Sequence, residues 1–161
     1  MVELILLITV SIVYYFMDTV DRKILALLQE DAALSIEKIA AKVHLSSTPC
    51  WKRIRRLEKD GVIQKRVALL DAEKVGAGVT VFVAIKTNQH NREWLDHFAN
   101  SVEDMPEILD FYRMSGEIDY LLRVVVSDIV AFDSFYQRLI SRVPLSDVTS
   151  SFAMEKIKHT T

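Results

Sequence analysis

The spacing of apolar residues changes along this chain, and the change constrains its fold more than any other feature. Up to residue 61 the apolar residues recur at helical spacing, as in Val20, Ile24, Leu27 and Leu28, which predicts short amphipathic helices. After residue 77, apolar runs of strand length alternate with stretches of helical spacing. A chain of 161 residues is long enough for two small units, so we expect two with different secondary structure.

Three short helices are predicted in the first part of the chain. Asp18 suits the N-cap of the first, and Ser35 suits the N-cap of the second. The third follows a short turn at 44–46 and ends before Gly61, which suits the position after a helix C-cap. The next segment, VIQKRVALLD, alternates and predicts a strand pair, or wing. Together these elements predict a winged helix-turn-helix.

The remaining elements are predicted in the order β-α-β-β-α-β, the split βαβ pattern of a ferredoxin-like domain. The predicted strands are 78–87, 107–114, 120–126 and 147–157, and the helices are 92–104 and 128–143, the second of them capped by Asp128. Two helices cover one face of a four-stranded sheet. The runs VFVAI and LLRVVV are apolar beyond simple alternation, so we expect the other face to pack on a second copy.

The predicted fold class is therefore α+β, an N-terminal winged helix-turn-helix followed by a C-terminal ferredoxin-like βαββαβ domain. The expected segments are an apolar leader at 1–16, the helical unit at 17–66, a linker or strand at 67–77 and the second domain at 78–161. The leader VELILLITVSIVYYF is too short for a membrane span of about 20 residues and has no signal-peptide features. We expect translation to start at Met17, with a membrane contact or an extra packing segment as alternatives.

Charge is distributed unevenly between the two parts. Residues 17–66 hold 11 Lys and Arg against 7 Asp and Glu, whereas residues 67–161 hold 9 against 14. A basic front suggests a polyanion as its partner. The cations concentrate in the third helix, within LSSTPCWKRIRRLEKDG.

The third helix has a buried side and a basic side when drawn at about 100° per residue. Cys50, Ile54 and Leu57 form the apolar stripe, and Lys52 and Arg55 project on the far side, as do Thr48, Arg56 and Lys59. Arg, Lys and small hydroxyls are the residues that bind phosphates and base edges in the major groove of DNA. A plain solvated helix is the alternative, although such a helix usually mixes charge signs. Trp51 flanks the basic side, either as core or against sugar and phosphate.

No enzyme signature is present. The single Cys excludes an internal disulfide and a four-thiolate metal site and fits a reducing cytoplasm. The four His have no metal-ligand spacing, and the four Gly form no phosphate loop. We therefore expect no catalysis, no cofactor, no metal and no membrane partner. Two other functions stay open: an architectural DNA-binding protein of the nucleoid, and an amino-acid-binding module that acts on a protein partner.

Several motifs, in order, resemble the Lrp/AsnC (feast/famine) family of transcription regulators: DTVDRKILALLQED, LSIEKIAAKVHLSSTPCWKRIRRLEKDGVIQKRVALLD and RMSGEIDYLLRV. The resemblance runs from Met17 to the C-terminus. Segments such as TPCWKR and FYRMSGEIDY are similar to a cysteine-responsive branch of that family. The resemblance implies a cytoplasmic, nucleoid-associated activator that forms dimers and then tetramers or octamers. It also implies double-stranded DNA as a partner and a small amino-acid effector, for which L-cysteine is the expected identity.

The resemblance, together with the basic face of the third helix, assigns two sets of site residues. The expected DNA-binding residues are Ser47, Thr48, Pro49, Lys52, Arg53, Arg55, Arg56 and Lys59. The expected effector-binding residues, between C-terminal domains, are Met114, Ser115, Gly116, Glu117, Asp119, Tyr120, Ile129, Ser151, Phe152 and Ala153. The residues alone leave SGEID equally interpretable as a simple hairpin turn. Two departures from the family pattern are the leader and the missing Gly after Pro144.

Overall fold

The computed structural model describes residues 17–158 and divides the chain into two compact units between Ala68 and Leu69. The predicted apolar leader, residues 1–16, lies outside the described residues. Each unit has its own hydrophobic core. Across residues 17–158, no helix combines the length and apolar character needed to cross a bilayer.

Three helices form the first unit: α1 (Thr19–Glu30), α2 (Ile36–Lys42) and α3 (Ser47–Lys59). The predicted N-cap of α1 is confirmed, because Asp18 Oδ1 accepts hydrogen bonds from the N–H groups of Val20 and Asp21 at 2.9 and 2.8 Å. Asp21 Oδ2 in turn accepts from the Asp18 N–H at 3.2 Å, which completes a capping box. Ser35 caps α2 by accepting from the Lys38 N–H, also as predicted. The three helices enclose a core of Ile24, Ile39, Ala40, Val43, Cys50, Ile54 and Leu57.

The turn between α2 and α3 is made by His44, whose φ of +58° lies in the left-handed region. The Leu45 N–H donates to the Ala40 carbonyl at 2.9 Å, and the His44 N–H donates to the Ala41 carbonyl at 3.3 Å. This pair of bonds is a Schellman motif, which usually places Gly at the left-handed position. A side chain there carries a steric cost because its Cβ crowds the backbone.

The predicted wing does not form strands. Between α3 and Val79 the structure, which describes every residue of that segment, contains no strand. Val67, Leu69 and Leu70 are each at least 61% exposed. The physical reason is that no Gly, Pro, Asn or Asp lies between Val62 and Leu70 to reverse the chain, so the alternating segment has no second strand to pair with.

The second unit contains the predicted order β-α-β-β-α-β. Its elements are β1 (Val79–Lys86), α4 (Arg92–Val102), β2 (Ile108–Arg113), β3 (Tyr120–Val126), α5 (Ile129–Arg142) and β4 (Asp147–Phe152). The sheet order is β2-β3-β1-β4, and each neighbouring pair is antiparallel. β4 ends at Phe152 and is shorter than predicted. Asp128 caps α5 by accepting from the Ala131 N–H at 2.8 Å, as predicted.

Alternate residues of the central strands face opposite sides of this sheet. Val81, Val83 and Ile85 of β1 and Leu122 and Val124 of β3 are fully buried in the core that α4 and α5 complete. The opposite face, here called the open face, carries Phe82, Ala84, Tyr112, Leu121 and Val125 together with the Arg123–Asp110 ion pair. Phe82 and Tyr112 are 40% and 52% exposed, so the open face is an apolar surface with a charged pair.

We expect His44→Gly to raise the free energy of unfolding by about 0.5–1 kcal/mol, because Gly adopts the left-handed conformation without the Cβ contact. Urea unfolding of the full-length protein measures the change. Ala41→Gly, at an exposed position of α2, is the matched control, and we expect it to lower the free energy of unfolding by about 1 kcal/mol. A His44→Gly protein less stable than wild type would show that the imidazole makes contacts that outweigh the strain.

Candidate functional site

The apolar stripe predicted for α3 is the side of the helix that the structure buries. Cys50, Ile54 and Leu57 are each 1% exposed or less. Burial raises the pKa of the Cys50 thiol, an effect that the nearby Arg53 charge opposes. The thiol is therefore held in its protonated, unreactive form, and Cys50 belongs to the core.

Two of the α3 arginines contact α1. Arg53 Nη1 lies 2.7 Å from Asp18 Oδ2 and 2.8 Å from Asp21 Oδ1, and Arg56 Nη2 lies 2.5 Å from Asp21 Oδ2. The Asp21 side chain is fully buried, so the two arginines and the Asp18 N–H, rather than water, supply the hydrogen bonds to its carboxylate oxygens. The expectation that Arg56 lies on the exposed side of α3 holds in part, because its side chain is 41% exposed but also pairs with Asp21. The helical projection treats α3 alone and omits α1 on that flank.

The same contacts affect protonation. The pKa of Asp18 is lowered, first by the hydrogen bond from the Asp21 N–H and then by the one from Arg53. A carboxyl with a depressed folded-state pKa contributes stability that is complete above its ordinary pKa of 3.8 and is lost as the pH falls. The pairing of Asp18 with Arg53 is thus intact at neutral pH.

The outward face of α3, as we call it, consists of Ser47, Thr48, Lys52, Arg55 and Lys59, all of them exposed. Ser47 and Thr48 lie in the first turn, where backbone N–H groups have no partner within the helix. Ser46 is the N-cap, and its side chain makes no capping hydrogen bond. The outward face therefore combines hydroxyls at its N-terminal end with three cations, a combination suited to phosphate and base contacts.

Trp51 is half exposed, at 49%, so the structure places it beside the outward face rather than in the core. The Arg55 guanidinium carbon lies 5.8 Å from the centre of the Trp51 ring. Arg55 Nη1 also donates to Glu58 Oε2 at 3.0 Å, and Glu58 Oε1 accepts from Arg66 Nη2 at 3.2 Å. Arg55 is thus contacted on two sides and still 65% exposed.

In the second unit, the turn between β2 and β3 is attached to β1 through Asp119. The Asp119 N–H donates to the Ile85 carbonyl at 3.0 Å, and Asp119 Oδ2 accepts from the Thr87 N–H at 2.8 Å. Gly116, in the turn itself, has a φ of +131° that side chains rarely adopt, and a Cβ there would meet open space. Glu117 reaches back to Lys86 at 3.3 Å.

A cavity of about 390 Å³ adjoins this turn. It is lined by His90, Asn91, Arg92, Leu95, Asp96, Arg113, Met114, Asp119 and Tyr120. His90 Nδ1 lies 3.5 Å from Asp119 Oδ1, whereas Arg113 has no ion-pair partner within the part of the chain that the structure describes. Carboxylates and guanidinium groups therefore line one cavity, and a zwitterionic ligand could pair with both.

The structure brings together only some of the predicted effector residues in a single chain. Met114, Asp119 and Tyr120 line the cavity, whereas the other seven do not: Ser115, Gly116, Glu117, Ile129, Ser151, Phe152 and Ala153. Phe152 lies on β4, at the edge of the sheet opposite β2, and its ring centre is 5.0 Å from that of Phe132. The sequence prediction placed the effector between two copies, so these seven residues remain a prediction.

Sequence reasoning missed His90, Arg92, Asp96 and Arg113. The only available signal for Arg113 was its position next to the predicted turn residue Met114. His90 lies at the cavity because β1, which ends shortly before it, pairs with β3. This pairing brings Thr87 next to Asp119, a contact between distant parts of the sequence. Within residues 17–158, no group of three His, Cys, Asp or Glu side chains is arranged to hold a metal ion.

Comparison with known proteins links both units to regulators. The family model described as Lrp/AsnC ligand binding domain matches residues 80–161, and a winged helix-turn-helix DNA-binding model matches residues 17–64. The DNA-binding transcriptional activator DecR of Escherichia coli strain K12 is 58% identical over 146 residues, covering 90% of this chain and 96% of that protein.

Two solved structures are similar over nearly the whole chain. An AsnC family transcriptional regulator from Agrobacterium tumefaciens is 58% identical with a TM-score of 0.87, covering 90% of this chain and 95% of its own. A transcriptional regulator from Neisseria meningitidis in complex with L-Met is 36% identical with a TM-score of 0.85, covering 90% and 94%. The second structure shows that a protein of this fold takes an amino acid.

We expect Arg56→Ala to lower the free energy of unfolding by about 1–3 kcal/mol, because the buried Asp21 carboxylate loses one of its two arginine partners. Arg55→Ala on the same helix is the matched control, and we expect less than about 1 kcal/mol because its partners are solvated. Thermal or urea unfolding of both variants measures the difference. Equal stability of the two variants would contradict a structural role for Arg56.

Proposed function

Because this chain belongs to the Lrp/AsnC family and is a DNA-binding transcriptional regulator rather than an enzyme, we propose that it reads specific promoter sites as a homodimer. The observation that carries the proposal is the outward face of α3, with its hydroxyl end and three exposed cations. Two copies of α3 enter successive major grooves of a pseudo-palindromic site, about one or more helical turns apart. The protein acts on DNA in the cytoplasm.

The eight proposed DNA-contact residues have two different tasks. Those of the first turn and the outward face contact DNA directly: Ser47, Thr48, Pro49, Lys52, Arg55 and Lys59. Arg53 and Arg56 hold α3 against α1 through Asp21 and offer only their remaining N–H donors to phosphates. Their side chains are 28% and 41% exposed, compared with 65% for Arg55, which supports this division.

The second unit is proposed to bind a small amino acid at the turn between β2 and β3. An amino acid needs an anion for its ammonium group and a cation for its carboxylate, and Asp119 and Arg113 supply these in one cavity. The volume of about 390 Å³ is at the small end of ligand pockets. Binding changes the assembly of the C-terminal domains or the spacing of the α3 helices, and so changes promoter occupancy.

L-Cysteine is the proposed effector, and activation of at least one gene of amino-acid metabolism or detoxification is the proposed outcome. The resemblance of TPCWKR and FYRMSGEIDY to a cysteine-responsive branch supports the effector. The 58% identity to DecR, which is called an activator, supports the direction of regulation. The L-Met complex of the Neisseria protein supports an amino acid as the chemical class.

The open face of the sheet is the proposed dimer interface. Among its apolar side chains, Phe82 and Tyr112 are exposed within the described residues of one chain, and Ala84, Leu121 and Val125 are partly exposed. A second copy with the same surface would bury them and place two Arg123–Asp110 pairs in one interface. Further assembly to tetramers or octamers is proposed from the family resemblance.

A mobility-shift titration tests specific DNA binding and the effector together. A duplex selected by the wild-type protein from a randomised pool is expected to stay bound in an excess of unlabelled non-specific DNA. L-Cysteine is tested with a reductant and beside the other amino acids. We expect it to change the protein concentration that gives half-maximal DNA binding by about 5- to 150-fold. Asp119→Ala should bind this duplex as wild type does and lose the response, because the effector's ammonium loses its carboxylate.

Asp133→Ala is the matched control, since it removes an exposed acid of α5 that does not line the cavity, and we expect an unaltered response. Loss of the complex at modest competitor would favour an architectural DNA-binding protein over a specific regulator. A full response in Asp119→Ala would place the effector elsewhere.

We expect Phe82→Glu to convert the dimer to monomers, because each copy would place a carboxylate that must lose its water in the interface, next to Arg123, whose charge Asp110 already pairs. Sedimentation velocity measures the oligomeric state, and circular dichroism confirms the fold. Val130→Glu is the control: Val130 is also an exposed apolar residue, at 77%, but it lies on α5 and not on the open face. A Phe82→Glu protein that sediments as the wild type does would exclude the sheet as the interface.

A further inference from the structure

The cations of α3 divide into two groups by direction. Drawn at about 100° per residue from the buried Ile54, Arg55 lies near +100° and Lys59 and Lys52 near +140° and +160°, whereas Arg53 and Arg56 lie near −100° and −160°. The two on the negative side are the ones that contact α1. The outward cations are therefore Lys52, Arg55 and Lys59.

Among these three, only Arg55 is held in place by neighbours within the described chain. The Trp51 ring lies on one side of its guanidinium at 5.8 Å, and Glu58 accepts a hydrogen bond from its Nη1 at 3.0 Å. Glu58 is itself held by Arg66 at 3.2 Å. Trp51 is at i−4 and Glu58 at i+3, so both project from neighbouring turns of the same helix. A long side chain fixed in this way loses less conformational freedom when it binds.

Glu58 uses one of the five N–H donors of Arg55. The remaining donors include a pair that can face outward as a planar fork, and Arg55 is 65% exposed. A fixed planar fork matches the O6 and N7 acceptors of guanine in the major groove. Lysine ammonium groups are flexible point charges and suit phosphates better.

We propose that Arg55 is the specificity-determining residue of α3, reading a guanine in each half-site, and that Trp51 and Glu58 are positioning residues that aim its guanidinium. This inference rests on the proposed placement of α3 in the major groove. It distinguishes Arg55 from Lys52 and Lys59, which neutralise phosphates without reading sequence. The alternative, that Glu58 merely neutralises Arg55, predicts no role for Arg55 in base choice.

The test compares base preference with salt dependence. Full-length wild-type protein and variants are each used to select duplexes from a randomised pool, and affinities are then titrated against salt on the wild-type site and on versions changed at each guanine. For Arg55→Lys we expect discrimination at one guanine per half-site to fall by about 5- to 150-fold. The salt slope should stay unchanged, because the positive charge is kept.

Lys59→Ala is the matched control on the same face. We expect it to select the wild-type sequence while its salt slope, on a logarithmic scale, falls by about one. Trp51→Ala and Glu58→Gln should each reduce discrimination at the same guanine position, and Trp51→Phe should restore it because a ring face remains. Melting temperatures should match wild type, since Trp51 and Glu58 are not in the core.

The outcomes separate the inference from the proposal on which it rests. An Arg55→Lys protein that selects the wild-type sequence with full discrimination overturns Arg55 as the reading residue. Full discrimination in both Trp51→Ala and Glu58→Gln overturns their positioning role. If the wild-type protein enriches no sequence at all, specific DNA reading fails, and the inference fails with it.

Discussion

The fully buried carboxylate of Asp21 accepts hydrogen bonds from the start of α1 and from two arginines of α3. A charge without solvent needs such partners, and removing them leaves a large desolvation cost. The same carboxylate therefore helps to close the N-terminus of α1 and, together with the buried stripe of Cys50, Ile54 and Leu57, sets the rotation of α3. The direction of every other α3 side chain follows, including the outward placement of Lys52 and Arg55.

A second carboxylate has a comparable position in the sheet domain. Asp119 accepts from the Thr87 N–H beyond the end of β1 and also faces His90 across the cavity. One side chain thus joins the β2–β3 turn to the neighbouring strand and borders the cavity. A ligand that pairs with Asp119 would act directly on the contact between these two segments of the domain.

Local signals predicted most of the fold. The caps at Asp18, Ser35 and Asp128 and the apolar runs of β1 and β3 depend on residues close in sequence, and each was confirmed. The predictions that failed depend on what lies beside an element. The wing had no partner strand, and Arg56 pairs with Asp21 of the neighbouring α1. His90, which sequence reasoning missed, reached the cavity through the pairing of β1 with β3. The periodicity of one element carries no information about its neighbours.

The single cysteine of the chain has a practical consequence. Cys50 lies in the core of the three-helix unit with no exposed surface, and burial keeps its thiol protonated. A thiol-reactive label can reach it only when that core opens, so its rate of modification reports the opening free energy of the three-helix unit alone. The native sequence thus contains an internal probe of local unfolding, and no engineered cysteine is needed.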